Sequence, residues 1–191
     1  MPLKKAKWVA LYNIFFIVNF FALAAFPLLK IKHTLIHMRK IFYVIPLLLS
    51  LDIVTKWFAG NFFVQRVPII WDYLFFELTR NTGVAFSFAI HGLFLKILTL
   101  VLIFGIIYYY IKEEYAKNDL LIDGAFCLVI SGALWNAFER IFFGVVVDFI
   151  WVRYFSVFNL ADSFLCIGVF IYCIHLLLPK TSYGKWKSIW S

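Results

Sequence analysis

The sequence predicts an all-α membrane protein, with a four-helix transmembrane core, a small β-rich extracytoplasmic segment and a possible extra N-terminal helix. Two observations support this fold class. Of the 191 residues, 64% are hydrophobic, and the mean hydropathy is +0.93, values well outside the range of soluble domains. Charged residues make up only 15% of the chain and gather in short clusters. Between these clusters lie apolar runs of about 20 residues, the length that a helix needs to cross a bilayer core.

Five apolar runs in the sequence are candidates for membrane helices, and the last four are predicted to form the compact bundle. Basic clusters set their orientation, because Lys and Arg favour the cytoplasmic side. The clusters at residues 30–40, 112–117 and 180–187 are therefore predicted to be cytoplasmic, and residues 60–90 and 142–154 to face outward. The runs are Trp8–Leu29, Ile41–Ala59, Leu93–Ile111, Leu120 to about Phe138, and Val157–Leu178.

The first apolar run fits this charge pattern poorly, since basic residues flank it on both sides. Three interpretations stay open: an extra transmembrane helix, a cleaved signal-like segment, or an upstream extension of a protein that starts at Met38. The chain accordingly divides into an N-terminal extension at 1–37, a main domain at 38–179 and a basic cytoplasmic tail at 180–191.

The outward segment Asn61–Thr79 mixes β-branched and aromatic residues and has no helical periodicity. Such composition favours short strands at the membrane surface. These strands could hold an extended peptide by adding it to their edge. A simple connecting loop is the alternative.

The net charge of +8 bears on membrane topology, because no basic face with polar surroundings is present. Nucleic-acid binding is therefore not expected.

Polar residues within or beside the apolar runs are the candidates for function. An Asp near the centre of a membrane helix costs about 2.5–3.5 kcal/mol, so such residues are rare without a role. With the predicted topology, all but the first of them converge on the outer interface: three end an outgoing helix, Asp148 lies in the turn, and two begin the returning helix. They are Asp52, Asn136, Glu139, Arg140, Asp148, Asn159 and Asp162.

Asp148 and Asp162 are the candidate catalytic pair. If their oxygens approach to about 4 Å, their repulsion at an effective dielectric of 20 is about 4 kcal/mol, so both are not ionised at neutral pH. One protonated and one ionised carboxylate supply an acid and a base on either side of a water that can attack an amide. The alternative is an Asp–Arg ion pair that only fixes the turn.

Four patches of the sequence resemble the motifs of the bacterial lipoprotein signal peptidases, the type II signal peptidases. The patches appear in the family's order between Met38 and Leu178, and four in order are far more specific than any one alone. They are "LDIVTK" with Asp52 and Lys56, "TRNTGVAFSF" with Asn81, "WNAFERIFFGVVVDFI" with Asn136, Arg140 and Asp148, and "FNLADSFLCIGVF" with Asn159 and Asp162.

This resemblance implies a membrane aspartic endopeptidase that removes the signal peptide of a prolipoprotein by cleaving before a diacylglyceryl-modified cysteine. It implies that Asp148 and Asp162 are catalytic, that residues 38–179 are the catalytic domain, and that neither metal nor organic cofactor is needed. Its partners would be diacylglyceryl-modified prolipoproteins and membrane lipids, and its location the bacterial inner membrane with the active site toward the extracytoplasmic face. The supporting or substrate-binding residues would be Asn81, Asn136, Arg140, Asn159, Asp52 and Lys56.

Two positions depart from the family pattern, which usually has Gly and Asp where this chain has Trp135 and Glu139. The first change is expected to alter helix packing near the site, and the second to lengthen any contact that Glu139 makes with Arg140 or the nearby backbone. Rival functions are a small carrier, which would favour internal repeats that the sequence lacks, and a pseudoenzyme, which retention of both aspartates disfavours. The cysteines, Cys127, Cys166 and Cys173, are expected to be buried free thiols.

Overall fold

The structure is a computed structural model that describes residues 43–85, 88–89 and 92–178. The first apolar run, the extension at 1–37 and the tail at 180–191 were predicted from sequence and lie outside the described residues. Within the described part the chain is mostly helical, and four helices are long and apolar enough to cross a membrane. The predicted four-helix core is confirmed, with a small antiparallel sheet added to it.

The four long helices follow the predicted apolar runs to within a few residues: α1 at Val44–Phe62, α2 at Leu93–Tyr109, α3 at Leu120–Phe142 and α4 at Leu160–Leu177. After α2 the chain makes a π-helical turn at Tyr110–Glu114 and a 3₁₀ turn at Tyr115–Lys117. The last apolar run was predicted to begin at Val157. Its first residues instead form a strand, and the helix begins after Asn159.

Helix α3 is the centre of the bundle. In the most apolar stretch of each membrane span, 72% of the α3 residues are buried inside the protein, against 11% for Leu93–Lys117, which contains α2, and 17% for α4. Large apolar side chains such as Phe104 and Phe170 remain 68% and 64% exposed. The outer faces of α2 and α4 therefore form a surface suited to lipid rather than water.

Small residues let α3 and α4 approach closely. A Cβ on Gly132 would lie 2.3 Å from the Ala161 carbonyl oxygen, and a Cβ on Gly168 would lie 2.5 Å from the Ala125 carbonyl oxygen. Each helix thus carries two small residues seven positions apart, and the two pairs face each other in antiparallel order. Close backbone approach at small residues is how membrane helices gain packing energy without a hydrophobic driving force between them.

A four-stranded antiparallel sheet lies at the end of the bundle where α1 and α3 finish and α4 begins. Its strands are β1 at Val67–Ile70, β2 at Leu74–Asn81, β5 at Val146–Val152 and β6 at Ser156–Phe158, in the order β1-β2-β5-β6. A separate hairpin pairs β3 at Val84–Ala85 with β4 at Phe88–Ala89. Strands rather than a simple loop within Asn61–Thr79 are thereby confirmed.

The structure corrects the predicted position of Asp148, which is in strand β5 and not in a turn. Asp148 is opposite Thr79 of β2, and Val146 is opposite Asn81. The Val- and Phe-rich segment around Asp148 forms a strand because β-branched and aromatic side chains suit a half-buried sheet. A short apolar run beside a helix end gives no periodicity by which to distinguish it from a turn.

The cysteine prediction is only partly right. None of the three cysteines forms a disulfide, and Cys127 on α3 is buried, but Cys166 and Cys173 on α4 are exposed on the protein surface. The reason is that α4 buries only a narrow face, which contains Ala161 and Gly168.

Candidate active site

Asp148 is held by strand pairing at the edge of the helix bundle. Its side chain is 2% exposed, and its Oδ2 accepts a hydrogen bond from Asn81 Nδ2 at 3.0 Å. The Asn81 Oδ1 in turn accepts from the Gly83 amide at 2.9 Å. Gly83 has φ +118, a conformation that side-chain-bearing residues rarely adopt. This turn therefore fixes which atom of Asn81 points at Asp148.

Asp162 is held by the first turn of α4. Asn159 is the N-cap, and its Oδ1 accepts from the Asp162 amide at 2.9 Å, while the Asp162 Oδ2 accepts from the Asn159 amide at 3.1 Å. This reciprocal arrangement is a capping box, which satisfies two backbone donors that a helix start otherwise leaves free. The helix N-terminus also favours a negative charge at this position.

Asn159 joins the two aspartates. Its Nδ2 donates to Asp148 Oδ1 at 2.7 Å, so one fully buried residue bonds to Asp148 through its side chain and to Asp162 through both its backbone and its side chain. The two carboxylates, predicted from sequence to meet, are therefore on either side of Asn159. Asp148 is buried, and Asp162 is only partly buried.

The two aspartates have different surroundings. Burial, followed by the negative charge of Asp162, raises the pKa of Asp148 from 3.8 to about 6, and the hydrogen bonds from Asn81 and Asn159 oppose that rise. A carboxyl group of this kind is protonated in slightly acidic solution and exchanges its proton near neutral pH. That is the property required of a general acid or base.

A second polar layer lies beneath the pair, and Lys56 is its centre. This fully buried ammonium group lies 2.7 Å from Asp52 Oδ2, 2.7 Å from Glu139 Oε2 and 2.9 Å from Asn136 Oδ1. The contacts to Glu139 and Asn136 are hydrogen bonds, and the contact to Asp52 is an ion pair. The other oxygen of Asp52 accepts from the Ala161 amide at 2.8 Å, which ties α1 to the start of α4.

Asn136 connects this layer to the aspartates. Its Oδ1 accepts from Lys56 and also from Asn159 Nδ2 at 3.2 Å, and its Nδ2 donates to Asp162 Oδ1 at 2.8 Å. The structure thus brings together seven of the eight residues predicted for the site in one hydrogen-bonded network. They are Asp148, Asp162, Asn81, Asn136, Asn159, Asp52 and Lys56.

Arg140 is the exception. Its charge acts on Asp162, but among the described residues its buried Nε has no hydrogen-bond partner. Within the same residues, neither Asp148 nor Asp162 forms an ion pair with an arginine. The alternative in which an Asp–Arg pair pins the segment is therefore not what the structure contains.

Glu139 was predicted to lengthen any contact that it makes with Arg140 or the nearby backbone, and the structure pairs its side chain with Lys56. Its longer side chain, one of the two departures from the family pattern, fills a buried position in the network at 0% exposure. The sequence offered a signal for this pairing. Asp52, Glu139 and Lys56 all lie in apolar runs, and charges buried in such runs must neutralise each other. The other departure, Trp135, is buried and stacks on Phe138 with ring centres 4.9 Å apart.

Fold and site together define a multi-pass membrane protein with one buried and one partly buried aspartate, both hydrogen-bonded to one asparagine at one end of its helix bundle. Comparison with known proteins gives the family. The signal peptidase (SPase) II family pattern matches residues 44–178. A lipoprotein signal peptidase of Halalkalibacterium halodurans is 35% identical over 156 residues, which cover 78% of this chain and 99% of the relative.

Solved structures agree with the sequence comparison. Two structures of a bacterial membrane enzyme obtained by the in meso method, at 2.3 and 1.9 Å resolution, each superpose with a TM-score of 0.64 and 30% identity. Each covers 74% of this chain, and the chain covers 89% and 94% of them respectively. The chain belongs to the signal peptidase II family, which cleaves signal peptides from prolipoproteins.

Proposed function

We propose that the protein is an aspartic endopeptidase of the bacterial inner membrane that cuts prolipoproteins just before the diacylglyceryl-modified cysteine. Asp148 and Asp162 are the catalytic residues. The observation that carries this assignment is the pair of hydrogen bonds through which Asn159 holds both carboxylates at the end of the bundle.

Hydrolysis requires one protonated and one ionised carboxylate. The raised pKa of Asp148 supports its role as the protonated member, and the donors around Asp162 support its role as the ionised member. Asp162 removes a proton from a water that attacks the scissile carbonyl carbon, while Asp148 gives its proton to the carbonyl oxygen. The resulting gem-diol collapses: the C–N bond breaks, the amine nitrogen takes the proton from Asp162, and one gem-diol hydroxyl returns a proton to Asp148, which restores the starting pair.

Substrate access is proposed from the side, through the lipid. A prolipoprotein carries acyl chains beside its cleavage site and a hydrophobic signal segment, both of which stay in the bilayer. The apolar outer faces of α2 and α4 suit such a segment, and partly buried Asp162 is the member of the pair nearer to solvent. Asn81, Asn136 and Asn159 position the pair, and Asp52 with Lys56 supports them from beneath. Sheet edge β1 is available to hold extended substrate on the outer side.

The test is proteolysis of a lipidated prolipoprotein by purified full-length protein. Asp148→Asn and Asp162→Asn should each reduce processing by at least about a thousandfold, as expected when one member of an acid–base pair is lost. Normal processing by either variant would overturn the assignment.

A matched control is available on the same helix bundle. Asp123 is also a buried aspartate, with 0% exposure, but it accepts a hydrogen bond from Tyr110 at the other end of α3. Asp123→Asn should fold and process substrate normally. This control separates lost chemistry from the general effect of removing a buried carboxylate.

A further inference from the structure

A cavity of about 450 Å³ at the far end of the sheet lies apart from the aspartate network. Its floor is made by Phe75 and Trp151, which stack with ring centres 5.4 Å apart. Two arginines, Arg66 and Arg153, line it together with Tyr154 and Phe155. We propose that this cavity binds the phosphate of an anionic phospholipid head group.

The charges in the cavity favour an anion. The Arg66 guanidinium carbon lies 3.5 Å from the centre of the Phe75 ring, and Arg66 forms no ion pair with any described residue. Arg153 Nη1 is 3.5 Å from Asp72 Oδ2, but that aspartate is 78% exposed, so solvent weakens the pair. With two arginines and one aspartate, the cavity keeps one net positive charge. An arginine stacked on a ring still presents the N–H groups at its edge, which suit a phosphate.

Exposed aromatic residues surround the cavity and indicate that the anion belongs to a lipid. The β1–β2 and β5–β6 turns lie side by side, since the Arg153 amide donates to the Tyr73 carbonyl at 2.8 Å. Trp71 and Tyr154, at the tips of these turns, are 85% and 87% exposed. Aromatic side chains of this kind concentrate at the membrane–water interface.

The backbone of both turns is strained at the residues that carry the exposed rings, Trp71 and Tyr154. Trp71 has φ +39 and Tyr154 has φ +64, left-handed conformations that bulky residues rarely adopt. Such outliers persist where a function retains them. The arginines then lie between two aromatic anchors, where basic residues attract an anionic lipid head group.

The test is native mass spectrometry of the full chain in detergent, titrated with phosphatidylglycerol or with zwitterionic phosphatidylcholine. We expect tighter binding of phosphatidylglycerol, and about a tenfold or greater loss of that binding in the double variant Arg66→Gln/Arg153→Gln. Phosphatidylcholine binding should change little. Arg80→Gln is the matched control, because Arg80 is an exposed arginine of the same sheet outside the cavity. It should keep the preference.

Three results would overturn the proposal. The first is the absence of the expected selectivity: either the two lipids bind equally, or the double variant still prefers phosphatidylglycerol to the same extent. The second is displacement of phosphatidylglycerol by millimolar inorganic phosphate, which would make the site a free-phosphate site. The third is displacement by an acidic peptide at the affinity of the lipid, which would make it a peptide site. Because the readout is binding, these outcomes are independent of the proposed proteolysis.

Discussion

Asp148 changes its proton occupancy in a pH range that can be observed directly. Burial and the charge of Asp162 raise its pKa to about 6, so below that pH it holds the proton that the proposed reaction donates. As the pH rises through this value, the proton is lost and the pair carries two negative charges. We therefore expect kcat/KM to fall with a midpoint near 6. A profile that stays flat from about pH 5 to about pH 8 would contradict this.

Removing one hydrogen bond should move that midpoint. The Asn81 amide stabilises the ionised form of Asp148, so Asn81→Ala should raise the pKa and shift the fall in activity upward by about one pH unit. Asn61→Ala is the control, because among the described residues the Asn61 side chain bonds only to the Trp57 carbonyl at the exposed end of α1. An unchanged midpoint in Asn81→Ala would argue that Asp148 is not the titrating acid.

Lys56 neutralises two buried carboxylates, and its loss should be severe. Lys56→Met leaves Asp52 and Glu139 without their cation in the protein interior, which should destabilise the fold by about 3–5 kcal/mol. Thermal unfolding in detergent measures this, with exposed Lys112→Met as the control. Adding Asp52→Asn and Glu139→Gln to Lys56→Met should restore much of the stability. Failure of the triple variant to recover would mean that packing, not charge, sets the loss.

The residues of the site differ in how far sequence could predict them. Asp148, Asp162, Asn136 and Asn159 could be placed together because helix ends and basic clusters fix which side of the membrane each one reaches. The residue types called for a lysine–carboxylate pair, but the contact of Lys56 with Glu139 could not be located, because the two residues lie 83 positions apart in the chain. Their contact depends on how α1 is rotated against α3. Arg140 shows the converse: its position predicted a site residue, but its buried Nε has no hydrogen-bond partner among the residues that the structure describes.

Among the elements, the contact between α3 and α4 is the least tolerant of added volume. Gly132→Ala would place a methyl group against the Ala161 carbonyl, where overpacking costs about 1–3 kcal/mol. It should also lower activity, because the Ala161 amide bonds to Asp52. Gly124→Ala on the same helix meets nothing within 4 Å and should leave thermal stability and activity nearly unchanged. Equal stability of the two variants would contradict the close contact.

Helices were more predictable than strands in this chain for a physical reason. A membrane helix must satisfy its backbone internally over about 20 apolar residues, so an apolar run nearly determines its limits. Strand β5 has no such requirement of its own. It forms because β2 lies beside it, and that partner is more than 60 residues away, since Thr79 pairs with Asp148. The segment around Asp148 could therefore be interpreted as a turn from its sequence alone.

The whole molecule has two ends that should lie on opposite sides of the membrane. In a variant with Cys127, Cys166 and Cys173 replaced by alanine, a single cysteine at Arg153 should react with a membrane-impermeant maleimide added outside spheroplasts. A single cysteine at Lys117 should react only after permeabilisation. Both positions are exposed, so access and not burial decides the result. Labelling of both from the same side would overturn the topology and the proposed outward active site.

Asn159 makes the geometry of the aspartate pair depend on the first turn of α4. Helix ends unwind more readily than helix centres, and here the residue that begins α4 is also the one that orients both carboxylates. Each time the first turn of the helix opens, the chemistry is switched off, even though the bundle stays assembled. Warming or harsh detergent should thus abolish activity before any spectroscopic sign of unfolding. The active fraction of the protein equals the fraction of molecules in which the first turn of α4 is formed.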